Sequence, residues 1–185
     1  MPAPPLTMPL LVGDGVVLRA WSTADVPLIQ EASRDPVIPG YTTVPRSPDR
    51  EAAEAFVERQ HGRSRDGEGW SFAIADPSTD EAVGQIGLWL YDLSRGALSV
   101  GYWVVDRHRG HGIAGRALST LVEFAVTVPE VFRIELQVEP HNLASRRTAE
   151  RVGFEREGLL VDWLDVDGER RDVLAYALIP RLHLA

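Results

Sequence analysis

The chain has 185 residues, 44% hydrophobic and 25% charged, which is the size and mix of one globular domain with a sizeable core. Its 27 Asp and Glu against 19 Lys and Arg give a formal net charge of −8, which argues against nucleic acid or an anionic membrane as partner and suits a cationic one. The absence of cysteine excludes a disulfide framework, thiolate metal sites and a cysteine nucleophile together.

In chain order, MPAPPLTMPLLVG comes first, with prolines at 2, 4, 5 and 9. Residues 1–12 are expected to be loosely ordered, and 13–185 to form a single domain. No basic leader with a long apolar segment is visible, and no later stretch approaches a membrane span, so a cytoplasmic location is expected. VVLRAW (16–21) has strand character, and Ser22 or Thr23 is placed to cap a helix carrying Val26, Leu28 and Ile29. A second helix follows Ser47, with Pro48 in its first turn and Ala52, Ala53, Phe56 and Val57 as its apolar stripe. WSFAIAD (70–76), AVGQIGLWLY (82–91) and ALSVGYWVVD (97–106) alternate as strands across turn-rich PSTDE and DLSRG, which predicts an antiparallel meander. The period then changes: Ala114, Ala117, Leu118, Leu121, Val122 and Ala125 form one apolar helical face. FRIELQVE (132–139) returns to strand, residues 142–152 predict a short helix ended by Gly153, and strands follow near 154–164 and 171–178. The fold class is α+β, a mixed sheet with helices laid on it.

Between the third meander strand and the long helix lies DRHRGHGIAG (106–115). A strand feeding a glycine-rich turn at a helix N-terminus is an anion site, because unpaired N–H groups and the helix dipole point at whatever sits there. Gly110 and Gly112 let the backbone approach phosphate oxygens, and Arg107 and Arg109 add charge-assisted donors. Read as G-x-G-x-x-G with Gly115, the loop also fits a dinucleotide site, with Glu135 near the expected acidic position and an NAD(P)-dependent oxidoreductase as the implied function. Against that, residues 106–109 separate strand from glycine and about half the chain precedes the motif. Such glycines also turn chains without binding anything.

Downstream, NLASRRTAERVGF places Ser145, Thr148, Ala149 and Val152 on one helical stripe, with Asn142 on the same side. Asn142 is a favoured N-cap, and Ser145 could equally support the first helical turn. Histidines 108, 111 and 141 lack carboxylates at ligand spacing, so no metal is expected. Trp89, Tyr91, Tyr102 and Trp103 read chiefly as sheet packing, with Tyr102 open to either role.

R-x-x-G-x-G at Arg107, Gly110 and Gly112, followed by N-x-x-S and G-F at Asn142, Ser145, Gly153 and Phe154, resembles the GNAT N-acyltransferase superfamily. Within it, the first strand and helix and the GFEREGLLVDWLDVDGERRDVLAYAL tail resemble the ribosomal-protein, RimJ/RimL-like branch. That resemblance implies a mostly antiparallel sheet with flanking helices and a central parallel strand pair splayed for acetyl-CoA. It implies binding of acetyl-CoA along Val104, Val105, Arg107, His108, Arg109, Gly110, His111, Gly112 and Ile113, with Asn142 beside them. Many members protonate the departing thiolate with a tyrosine seven residues after the asparagine. Here that position is Ala149, and the branch assigns the role to the serine at Ser145. Glu135 or Glu139 is available to deprotonate the amine. The expected function is transfer of acetyl from acetyl-CoA to a primary amine by direct attack, without metal. The acceptor is a protein N-terminus or a small cationic molecule, and a homodimer is allowed. The alternative of another class is a regulatory module that binds acyl-CoA without turnover.

Overall fold

A computed structural model describes residues 5–180. Its strands are β1 (Leu11–Gly13), β2 (Val16–Arg19), β3 (Gly69–Ala75), β4 (Ala82–Trp89), β5 (Ala97–Val104), β6 (Arg133–Val138), β7 (Glu155–Val166) and β8 (Glu169–Leu178). The helices are α1 (Val26–Ala32), α2 (Ile38–Tyr41), α3 (Arg50–Arg65), α4 (Ile113–Ala125) and α5 (Leu143–Val152). The strands form one sheet in the order β1-β2-β3-β4-β5-β6-β8-β7, and every neighbouring pair is antiparallel except β5 and β6. The expected meander is β3, β4 and β5. Two short elements, β1 and α2, were not anticipated.

The described part of the first twelve residues makes contacts with the body of the protein. Within residues 5–12, Leu6 N–H donates to the Ser64 carbonyl at 2.8 Å, the Trp70 indole donates to the Thr7 carbonyl at 2.9 Å, and Leu6 and Met8 pack on the core. Prolines removed donors there without preventing carbonyls from accepting bonds from the body of the protein. Residues 1–4 lie outside the described residues.

The sheet separates two cores. On one face Leu98, Val100 and Val104 of β5 join Ala117, Leu118, Leu121 and Ala125 of α4 and Ala149 of α5. On the other, Trp103 and Val105 join Val26, Ile29 and Ala32 of α1, Ile38 of α2 and Phe56 and Val57 of α3. The period-2 alternation of β5 thus links both layers. The second core contains a buried polar chain: the Trp103 indole donates to Gln85 Oε1 (2.7 Å), the Gln85 amide to Ser71 Oγ (2.8 Å) and Gln60 Oε1 (3.2 Å), and Ser71 to Gln60 Oε1 (2.9 Å). Among the described residues no helix is long and apolar enough to cross a membrane.

Ser22 is the cap that starts the first helical segment, in a reciprocal box with Asp25. Asp25, 4% exposed, also holds Arg19 through two bonds of 2.9 Å. Asp25→Ala removes both, together with its bond to the Ser22 N–H, and leaves Arg19, whose side chain is 14% exposed, with Asp80 as its remaining carboxylate partner at 2.7 Å. Unfolding by denaturant should therefore register a loss of about 3 kcal/mol, the scale for breaking one side of a buried pair. A loss below about 1 kcal/mol would mean solvent reaches Arg19.

Candidate active site

The site grows from a mismatch between two ladders. β5 and β6 pair in parallel only from Ala97↔Arg133 to Val100↔Leu136, although β5 stays paired to β4 as far as Val104 and β6 to β8 as far as Val138. Beyond Val100 the two central strands part. The Val105 N–H donates to the Val83 carbonyl at 3.1 Å, so Val105 faces β4. The backbone groups of Val104 and Tyr102, one and three residues earlier, face the gap by the alternation of an antiparallel ladder. Of the two valines expected to offer backbone groups, Val104 is therefore the one that does so, and the Val105 N–H is spent on the sheet.

After β5, a single 3₁₀ turn (Asp106–His108) leads to Gly110 (φ 80°) and Gly112 (φ 74°), and α4 begins at Ile113. Gly112 stands at the N-cap with no capping side chain, and the first intrahelical bond is Arg116 N–H to the Gly112 carbonyl at 3.1 Å. The N–H groups of Ile113, Ala114 and Gly115 precede that bond, so the loop presents uncapped donors and the positive end of the helix dipole. A Cβ built on Gly110 would meet open space within 4 Å. This is a cradle with room and donors for an anion such as a pyrophosphate.

Both loop arginines are paired with carboxylates. The Arg107 guanidinium lies on Glu31 (3.0 and 3.1 Å) and Glu81 (2.8 Å) and touches the His108 ring. Arg109 donates to Asp35 (2.7 Å) and, through Nε, to the gap-facing Val104 carbonyl (2.9 Å). The reason is the acidic end of α1 and the turn after it, which bring carboxylates against the loop. Burial opposes ionisation of Asp35, but the N–H groups of Val37 and Ile38 and the Arg109 guanidinium outweigh it and hold the carboxyl below its ordinary range. Instead, Arg116 brings an arginine to the cradle without a hydrogen-bonded carboxylate. It lies one turn into α4 and donates to the His111 carbonyl at 3.0 Å. Helical spacing from Gly112 was the available signal for it, one turn into α4 and off the apolar stripe. His111 is exposed and His108 partly so.

Across the gap, Asn142 caps α5 by accepting the Ser145 N–H at 3.0 Å. The Asn142 side chain therefore serves the helix. The Ser145 hydroxyl caps nothing: it pairs with the Tyr102 hydroxyl at 2.8 Å. Burial pushes the Tyr102 phenol up, while hydrogen bonds to Ser145 and Thr148 offset part of that rise. Tyr102, on the strand edge facing the gap, is the residue that sequence reasoning left undecided. Nothing in the alternation of a strand distinguishes a tyrosine in the core from one reaching a helix 43 residues later. Trp89 and Tyr91 stack on each other, with the Arg63 guanidinium over Trp89, as packing. Of the two acidic residues on β6 and its extension, Glu135 is bound by Arg133 at 2.6 Å, and Glu139 lies past the strand's end with its side chain 10% exposed.

Comparison with known proteins agrees with this geometry. The family described as an acetyltransferase (GNAT) domain matches residues 16–155. An uncharacterized N-acetyltransferase, p20, of Bacillus licheniformis is 28% identical over 94% of this chain and 98% of its own. The Escherichia coli [ribosomal protein uS5]-alanine N-acetyltransferase is 30% identical over 62% of this chain and 59% of that relative. Among solved structures, Mycobacterium smegmatis RimJ in complex with CoA-disulfide superposes with a TM-score of 0.77 at 27% identity, covering 98% of this chain and 90% of that one.

Proposed function

Because the chain belongs to the acetyltransferase (GNAT) family and is an acetyl-CoA-dependent N-acetyltransferase, we propose that its acceptor is the N-terminal amine of a protein and that Ser145 and Tyr102 carry the leaving-group chemistry. The N–H groups at the start of α4 hold the pyrophosphate, with Gly110 and Gly112 leaving space and Arg116 adding charge. Arg107 and Arg109 shape the loop from behind, anchored to Glu31, Glu81 and Asp35. The gap-facing N–H groups of Tyr102 and Val104 meet the negative oxygen that develops as the amine attacks the thioester carbonyl. Ser145 protonates the departing thiolate, and Tyr102 refills it.

The observation that carries this reading is the Ser145 hydroxyl, free of any capping bond and 2.8 Å from Tyr102 beside the gap. The acceptor class rests on the uS5-alanine N-acetyltransferase among the relatives and on the net charge of −8. An acceptor of that kind places the enzyme in the cytoplasm.

The test is release of free thiol from acetyl-CoA with peptides that bear an open or a blocked N-terminus, alongside small polyamines. The chain itself contains no lysine, so no side-chain amine of the enzyme consumes acetyl groups. Thiol release should track the open N-terminus. Turnover with polyamines alone sinks the acceptor class. Acetyl-CoA binding without turnover on any amine favours the non-catalytic acyl-CoA module. Within the same assay, Tyr102→Phe should lower kcat roughly tenfold at unchanged acetyl-CoA affinity, because water replaces a relay hydroxyl only in part. A fall in affinity instead would make Tyr102 a wall of the binding site.

A further inference from the structure

Resting on the reading that an amine attacks within the β5–β6 gap, we propose that Glu139 is the group that docks the acceptor's ammonium and takes its proton, with Tyr41 orienting it. Glu139 follows β6 by one residue and lies three beyond Leu136, the last residue paired to β5. At about 3.3 Å per residue it stands some 10 Å up the gap from the point where the strands part. Side chains alternate along β6: Ile134, Leu136 and Val138 enter the core beneath α4 and α5. Glu135, Gln137 and Glu139 therefore belong to the opposite face, where α1 and α2 lie. The gap is thus served from two sides. Ser145 and Tyr102 wait on the α5 side, where the thiolate leaves, and Glu139 waits on the α2 side, from which a nucleophile reaches the opposite lobe of the carbonyl.

The partners of Glu139 single it out from Glu135. Glu135 carries a permanent counter-ion, Arg133, which also holds Glu157 at 2.6 Å. A carboxylate so paired gains little by binding a second cation. Glu139 is nine-tenths buried, and among the described residues it is met by the Tyr41 hydroxyl of α2 and, at 3.4 Å, by the ring of His141. Arg171 and Asp167 face the same tyrosine from the β8 side. Burial and the bond to Glu139 push the Tyr41 phenol up to about 12, so it remains a neutral donor throughout the working range. Among the described residues no guanidinium is hydrogen-bonded to this buried carboxylate, so it has a place for a cation, which an ammonium supplies.

The chemistry balances. The docked ammonium gives one proton to the Glu139 carboxylate, and the freed lone pair forms the N–C bond. The C–S bond then breaks with its electron pair on sulfur, which takes the Ser145 proton. The second proton shed by the amine as the amide forms restores Ser145 through Tyr102 and water. Glu139 returns its proton to solvent by way of the His141 ring, 75% exposed.

The experiment is Glu139→Gln, which keeps an oxygen for the Tyr41 hydroxyl, assayed with two acceptor peptides whose amines differ in basicity. With the more basic amine at neutral pH, kcat should fall by about 10²-fold, the low end for a general base. The deficit should shrink with the less basic amine and as pH rises toward 9, where solvent itself deprotonates the acceptor. Acetyl-CoA affinity and melting temperature should be unchanged. Tyr41→Phe, retaining the carboxylate, should raise KM for the amine with kcat within a fewfold. A Gln variant that turns over the basic amine within threefold of wild type, or whose deficit is independent of amine basicity, overturns the assignment. A wild-type enzyme that acetylates no amine sinks the functional reading, and this assignment with it.

Discussion

Gly112→Val is expected to weaken acetyl-CoA binding by a factor of at least about 100 in calorimetry, with the protein still folded. Two separate effects combine. Gly112 has φ +74°, a conformation that costs an L-residue roughly 1–2 kcal/mol and a β-branched one more. The loop therefore relaxes away from the shape that aims the first N–H groups of α4 into one cradle. In addition, the new Cβ would sit 3.2 Å from the Arg116 guanidinium, in the place left for the ligand's close approach. At about 1.4 kcal/mol per decade, strain and lost donors together reach two decades. The loop is exposed and lies outside both cores, so the melting temperature should drop by only a few degrees. Unchanged affinity in a folded Gly112→Val protein would mean that the pyrophosphate is held elsewhere.

Ser145→Ala should reduce kcat about 10²-fold while acetyl-CoA affinity stays constant, because the lost interaction is made mainly in the transition state. The value is set at the low end of general-acid effects because a thiolate is already a tolerable leaving group and water fits where the hydroxyl was. The geometry separates this from a structural role: the cap of α5 is the Asn142 side-chain oxygen Oδ1, which accepts the Ser145 N–H that alanine keeps. Stability should accordingly change by well under 1 kcal/mol. Combining Ser145→Ala with Tyr102→Phe should cost no more than Ser145→Ala alone, since the Tyr102 hydroxyl acts only through Ser145. A Ser145→Ala enzyme with wild-type turnover removes the serine from the chemistry. Additive losses would instead give the two hydroxyls independent tasks.

What could be read from the sequence was local or periodic. The α4 stripe at Ala117, Leu118, Leu121 and Ala125 repeats at helical spacing, and Gly110, Gly112 and Gly153 mark points where the backbone takes positive φ. Those features place a strand, a loop and a helix, and so the cradle. The charged groups around it were not legible, because their partners are distant in sequence. Arg107 reads as a phosphate ligand in the sequence, and only the fold shows Glu31 and Glu81 beside it, from 76 and 26 residues away. The difference between Glu135 and Glu139 likewise depends on Tyr41, which reaches Glu139 from an α2 too short to show a period. The same holds at the start of the chain, where the Thr7 carbonyl meets Trp70 and the Leu6 N–H meets the Ser64 carbonyl.

The buried chain running from Trp103 through Gln85 and Ser71 to Gln60 has a direction. An indole N–H can only donate, so Gln85 must turn its oxygen toward Trp103 and its amide toward Ser71 and Gln60. Gln60 in turn hands its own amide proton to the Phe56 carbonyl at 3.3 Å. Each member dictates the orientation of the next, and leucine at Gln85 would orphan an indole N–H, leave the Ser71 oxygen without its donor and leave Gln60 Oε1 with the Ser71 hydroxyl alone. In a lineage changing one residue at a time, every first step away from this arrangement passes through a less stable protein. The four positions are therefore expected to be inherited or exchanged as a block, and relatives of this enzyme should divide into those that carry the whole chain and those that have filled the same space with hydrocarbon.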